Sequence, residues 1–295
     1  GQRLVIVGDG KLQLLPFAAL PWGTGKNIAP LMATNEIITL PSATSLAVQR
    51  EQWQKRPPAS KTLAVMADPV FKANDPRLGH NTRQAKAGDL SQYENLIRNG
   101  CSDFDRLPNT AAEAEQILAL VPDAQRFSAT GFEANYATAT HPNLSQYQIV
   151  HLATHGCIQD NPLLSNLALS FFQPDGQKAA TSLLKLQDIY NLKLNADLVV
   201  LSACQTGTGK EIQGEGVVGL TRGFMYAGAR RVVVSLWSVN DRATSILMSD
   251  YYRQMLQQGL SPTAALQKTQ LAMWQSGNYA APYYWAAFTI QGDWY

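Results

Sequence analysis

Two apolar runs of this sequence end on residues that could do nucleophilic chemistry. Ile149-Val-His-Leu-Ala153 leads into Thr154-His155-Gly156, and Leu198-Val-Val-Leu-Ser202 leads into Ala203-Cys204-Gln205-Thr206-Gly207. A thiol with an ordinary pKa of about 8.5 is mostly protonated at neutral pH; an imidazole beside it lowers that value and later returns a proton to a leaving amine. His155 and Cys204 are therefore candidates for a catalytic dyad. The glycines bear on the same chemistry. With no side chain at Gly156, its N–H can approach a substrate carbonyl and, together with the Cys204 N–H, form an oxyanion hole.

Other residues near these positions have plainer readings. His151 shares strand parity with Ala153 and His155, but one dyad needs one histidine, so His151 is read as structural. His151, His155, Cys157 and Cys204 are all of metal-ligating type, yet the chain has neither a Cys-x-x-Cys nor a His-Glu-x-x-His spacing, and no metal or other cofactor is expected. Cys101 falls in an irregular stretch and is read as a bystander. Three cysteines in a chain large enough to build a core suggest reduced thiols in a reducing compartment.

The elements that must carry these residues are legible as alternating runs. Strands are expected at Glu36 to Leu40, Thr62 to Ala67, Gln148 to Ala153, Asp197 to Ala203, Arg231 to Trp237 and Ala286 to Ile290. Several are continuously apolar, as strands covered by helices on both faces should be. Leu4 to Val7 and Leu12 to Phe17 flank an Asp-Gly pair, which predicts an opening hairpin. Thr110-Ala-Ala-Glu113 reads as a capping box before a helix. Val217 to Phe224 outlines a second helix closed by Gly228, and Ser261-Pro262 starts a third. Alternation of strand and helix after residue 110 predicts an α/β fold with a mainly parallel central sheet flanked by helices on both faces. In such sheets ligands bind at the carboxyl ends of strands, where His155 and Cys204 fall.

Composition sets the outer limits. The 295 residues are 45% hydrophobic and 16% charged, which excludes a disordered chain. Lys and Arg number 24 against 22 Asp and Glu, balanced 14 to 13 before residue 151 and 10 to 9 after it. Neither half is basic enough to propose nucleic acid or an anionic membrane as partner. No apolar stretch approaches the roughly 20 residues that span a bilayer, and no signal peptide is visible, so a cytoplasmic location is expected. The abrupt strand at Gly1 suggests a C-terminal piece of a longer protein.

The chain resembles a known family. His151-Leu-Ala-Thr-His-Gly156, Leu198 to Gly207, Gly214-Glu-Gly-Val-Val-Gly-Leu-Thr-Arg222, Ala227-Gly-Ala-Arg230, Ser235-Leu-Trp-Ser-Val-Asn-Asp241 and Tyr283-Tyr-Trp-Ala-Ala-Phe288 are similar to motifs of the CHAT family, as are Leu14 to Leu20 and Leu40-Pro-Ser42. These are caspase-like cysteine peptidases, distantly similar to separase and often joined to tetratricopeptide repeats in bacteria. Caspases also place their histidine about 50 residues before the nucleophile, and here 49 positions separate them. The resemblance covers residues 1–295 and implies a caspase-haemoglobinase fold, with 1–110 an accessory half and 111–295 the catalytic core. It implies a His155–Cys204 dyad and protein substrates cut after a basic residue in intracellular bacterial signalling. The other reading is a latent or non-catalytic scaffold with the same fold.

The resemblance also suggests a specificity pocket. In separase the matching motif supplies an acidic residue that holds an arginine, and Asp241 falls on that position. Glu215 is a second acidic candidate. A forked guanidinium would favour Arg over Lys there. Each acid has a plainer role, Asp241 as a helix cap and Glu215 as a first-turn acid. The pattern fails between Phe71 and Pro108, which predicts a long loop, and from Lys72 to Arg106 that loop carries Arg77, Arg83, Lys86 and Arg98 as candidate self-cleavage sites.

Overall fold

The computed structural model describes residues 2–79, 104–157, 164–202 and 215–294. Its strands in chain order are β1 (Gln2–Val7), β2 (Pro21–Trp22), β3 (Ala29–Pro30), β4 (Asn35–Leu40), β5 (Lys61–Ala67), β6 (Arg126–Thr130), β7 (Tyr147–Ala153), β8 (Gly156–Cys157), β9 (Asn166–Ala168), β10 (Leu183–Lys185), β11 (Leu198–Ser202), β12 (Arg231–Ser235) and β13 (Phe288–Gly292). The main helices are α1 (Ala43–Gln54), α2 (Pro108–Leu118), α3 (Glu215–Tyr226), α4 (Asp241–Leu256) and α5 (Pro262–Gln275).

Eight strands form one sheet in the order β1-β4-β13-β12-β11-β7-β5-β6. From β12 to β6 all pairs are parallel, β13 runs antiparallel to β12, and β4 and β1 run parallel to β13. The mixed α/β fold is thus mainly parallel, with one antiparallel seam.

The residues explain the layers. In β11, Leu198 and Val200 enter one buried cluster with Ile117, Leu247, Tyr251 and Leu266 from α2, α4 and α5. Val199 and Leu201 enter the other with Leu220 and Phe224 of α3. Both faces of the strand are covered, so its sequence is apolar without alternation. Gly228 ends the turn after α3 at φ 119°, and a Cβ there would lie 2.2 Å from the Leu194 carbonyl oxygen. The turn requires glycine.

Three local expectations are corrected. The opening segment is no hairpin: β1 pairs in parallel with β4, and Gly10–Leu14 is a 3-10 helix whose first N–H is taken by the Asp9 carboxylate. Asp9-Gly10 starts a helical turn instead of reversing a strand. The Thr110–Glu113 capping box is absent, because the helix starts at Pro108 and places both residues inside it; Glu113 is buried against the core. The expectation of three reduced thiols also fails, since Cys157 is disulfide-bonded. Among the described residues no helix is long and apolar enough to cross a membrane.

Candidate active site

The carboxyl ends of the parallel strands converge on one edge of the sheet. Ala67 of β5 pairs with Ala153 of β7, which pairs in turn with Ser202 of β11. The Thr154 N–H donates to the Ser202 carbonyl at 3.2 Å, extending the alignment one residue past β7. Asp68 and His155 therefore leave the sheet at the same end, the end at which Ser202 closes β11. Cys204 lies outside the described residues.

His155 is held on several sides. Its Nε2 is 2.6 Å from the backbone carbonyl oxygen of Asp105. A carbonyl only accepts, so Nε2 carries the proton, and Nδ1 is the nitrogen left to accept one in a neutral imidazole. The ring meets Phe71 at 5.0 Å and Phe104 at 5.7 Å between centroids. Only 3% of the residue is exposed. Its own carbonyl accepts from the Ala168 N–H at 2.8 Å, and Gly156 pairs with Leu167, so the turn is tied into the small β8–β9–β10 sheet.

His151 has a separate environment, as the structural reading of it requires. Its Nε2 lies 2.9 Å from Glu113 Oε1, and its Nδ1 lies 3.0 Å from the Tyr252 hydroxyl. Glu113, His151 and Tyr252 are fully buried. Burial pushes the Tyr252 phenol well above its ordinary value, so it stays a neutral hydroxyl. Among the described residues no group of three or more His, Cys, Asp or Glu is placed to hold a metal ion.

Asp241 is the first residue of α4, but it is not the cap. Asn240 caps the helix by accepting from the Ala243 N–H at 3.0 Å. Asp241 Oδ2 instead accepts the backbone N–H and side-chain amide of Asn109 at the start of α2, at 3.1 and 2.7 Å. Its Oδ1 is buried with no hydrogen-bond partner among the described residues. A carboxylate oxygen left this way carries a free-energy cost that a cationic ligand would relieve. Glu215 opens α3, and its side chain lies outside the described set.

Sequence reasoning missed the segment that joins these groups. Phe104 and Asp105 contact His155, while Asn109, four residues on, contacts Asp241. Asp105 is held below its ordinary value by a hydrogen bond from Lys72, with the positive charge of Lys72 adding to it. Arg77, one of the expected cleavage sites, is engaged: its guanidinium binds both Asp75 oxygens, at 2.7 and 2.8 Å, and Asp68 Oδ2 at 2.8 Å. Arg83, Lys86, Arg98 and Cys101 lie outside the described residues.

A family model described as CHAT domain matches residues 1–293. Human tetratricopeptide repeat protein 28 is 26% identical over 324 residues, covering 99% of this chain and 12% of the relative. Its mouse counterpart is 36% identical over 111 residues, or 38% of this chain and 4% of the relative. The chain thus spans about an eighth of the human protein's length. Among solved structures, the Saccharomyces cerevisiae separase–securin complex superposes with a TM-score of 0.54 and 15% identity, over 98% of this chain and 15% of the other. The Arg specific cysteine proteinase gingipain R gives 0.51 and 9%, over 88% and 54%. At such identities the likeness shows the fold alone, and that fold is the caspase-like one the sequence led us to expect.

Proposed function

The chain belongs to the CHAT domain family, and from that premise we propose that it is a cysteine endopeptidase that cuts partner proteins after a basic residue, Arg in preference to Lys. The observation that carries the reading is His155 at the tip of β7, its Nε2–H donated to the Asp105 carbonyl, beside a strand whose end is followed two residues later by Cys204.

The chemistry follows from the tautomer. Nδ1 takes the thiol proton of Cys204, and the thiolate attacks the scissile carbonyl carbon. The resulting oxyanion is stabilised by the N–H groups of Gly156 and Cys204. The imidazolium then protonates the leaving amine, and the acyl-enzyme is hydrolysed by a water whose proton returns to Nδ1. The Asp105 carbonyl would orient the ring and stabilise the imidazolium throughout, the role that a carboxylate plays in serine triads.

Basic specificity is supported by the buried Oδ1 of Asp241, which has no hydrogen-bond partner among the described residues, with Glu215 the second candidate. The name of the gingipain neighbour supplies a precedent for arginine on this fold. A bacterial, intracellular signalling setting belongs to the same reading and rests on the family resemblance, and the disulfide at Cys157 weighs against it.

Two observations favour a latent or scaffolding role. The ring of His155 is nearly inaccessible between Phe71 and Phe104, and the human and mouse relatives are named for their repeats. A peptidyl-arginine acyloxymethyl ketone separates the two: an active peptidase is alkylated at Cys204 and loses the label in His155→Ala. A scaffold is not labelled.

A further inference from the structure

Asp68 is a non-glycine residue in the left-handed region, at φ 50°, at the tip of β5. Such a conformation persists only where the surroundings over-determine it, and it concentrates at functional sites. The surroundings here are specific. The Asp68 carboxylate is bound by the fork of Arg106, Nε to Oδ1 at 2.9 Å and Nη2 to Oδ2 at 2.7 Å. Arg77 adds a bond to Oδ2 at 2.8 Å, and the Asp68 N–H donates to the Thr110 hydroxyl at 3.1 Å.

Arg106 directly follows Asp105, whose carbonyl fixes the His155 tautomer. The two aromatic rings that frame His155 flank the same pair: Phe71 lies three residues after Asp68, and Phe104 two residues before Arg106. Hydrogen bonds to the Asp68 carboxylate hold the Arg106 guanidinium above its ordinary pKa, so the pair stays charged. Asp105 has a second tether through Lys72, but that pair is exposed and contributes little.

We infer that Asp68 is a positioning residue for His155: through the forked pair with Arg106 it places the Asp105 carbonyl on Nε2 and so sets which ring nitrogen carries the proton. The role in turnover rests on the peptidase reading above. The effect on the histidine does not.

Nitrogen-15 shifts of the imidazoles, with His155 identified by loss of its signals in His155→Gln, read the tautomer directly. The unsubstituted protein should show the Nε2–H form. Asp68→Asn keeps the size and tolerates the backbone angle, yet puts a neutral amide against two guanidinium groups. His155 should then show exchange-averaged nitrogens. The kcat should fall about a hundredfold with KM little changed, as expected for a reacting group misplaced by about 1 Å, and the acid limb of the pH profile should move. Arg106→Lys, which keeps the charge and loses the fork at a side chain 40% exposed, should act in the same direction and carries the test if Asp68→Asn does not fold. An unchanged His155 tautomer in a folded variant of either kind overturns the inference. If the unsubstituted protein shows no thiol-dependent hydrolysis, the peptidase reading fails, and the imidazole shifts still decide the role of Asp68.

Discussion

The carboxylate of Asp241 reaches across two helix starts to Asn109, taking its backbone N–H at 3.1 Å and its side-chain amide at 2.7 Å. Among the described residues that leaves Oδ1 without a hydrogen-bond partner. In Asp241→Asn the new amide should turn its oxygen to Asn109 and so present its NH2 where a guanidinium would bind. Loss of one partner of a desolvated charge pair costs about 2–5 kcal/mol, roughly thirtyfold or more in kcat/KM. Cleavage of an Arg peptide should fall by that factor relative to a norleucine peptide, and helix α4 should survive because Asn240 caps it. An unchanged Arg preference would move the role to Glu215 or remove basic specificity.

Cys204→Ala and His155→Ala should each abolish turnover, and the double variant should be no worse, since a dyad acts as a unit. Circular dichroism should be unaltered in both. Residual activity of more than a few per cent of the unsubstituted rate in either variant would rule out the mechanism.

Removing Glu113 should damage the fold and not the chemistry directly. Glu113→Ala leaves the buried His151 Nε2 without the group facing it, and an unsatisfied buried polar group costs about 1–3 kcal/mol. Urea unfolding measures this. A loss below about 1 kcal/mol would mean that the Tyr252 hydroxyl alone suffices for His151.

If the enzyme nicks itself, mass spectrometry of the purified protein should find new amino termini after Arg83, Lys86 or Arg98, absent in Cys204→Ala. None should follow Arg77, whose guanidinium is committed to Asp75 and Asp68. A cut after Arg77 would mean that this ion cluster opens readily.

The same cluster predicts an acid response. Burial pushes Asp75 up, but the hydrogen bonds and charge of Arg77 outweigh it and hold the carboxyl below its ordinary 3.8. A depressed folded value gives stability that is fully present above 3.8 and lost as pH falls through the folded pKa. The urea midpoint should therefore drop between about pH 5 and pH 2, and less so in Asp75→Asn. Equal drops would place the acid sensitivity elsewhere.

How much of this was legible follows from what each residue reveals locally. Strands such as Leu198–Ser202 and Arg231–Ser235 declare themselves because both faces are apolar, and Ser261 caps α5 as its type suggests. The position of His155 after an apolar run could be read in the same way, whereas Asp241 was carried by the family resemblance alone. The Asp9-Gly10 hairpin and the Thr110–Glu113 box were misread because the same short patterns serve other ends, a helical turn and a helix interior. The partners of His155 had no local signal: a backbone carbonyl is common to every residue, and Phe71 and Phe104 sit in a stretch without periodicity. The Asp68–Arg106 pair, 38 residues apart, exists only once the chain is folded.

The antiparallel seam between β12 and β13 has a kinetic consequence. Strands β1 and β4 precede the parallel block in sequence and, among the described residues, join the large sheet through β13, which follows that block, with Gln291 paired to Thr39 and the Thr39 hydroxyl donating to the Ile290 carbonyl. Pairing between residues 251 positions apart makes for slow closure, because the loop entropy is lost before the contact forms. During synthesis the parallel block from β6 to β12 can assemble while the opening strands wait with an unpaired edge. A ribosome that stalls before residue 288 would leave that edge open to other chains, and chaperone dependence should be greatest at that stage of translation.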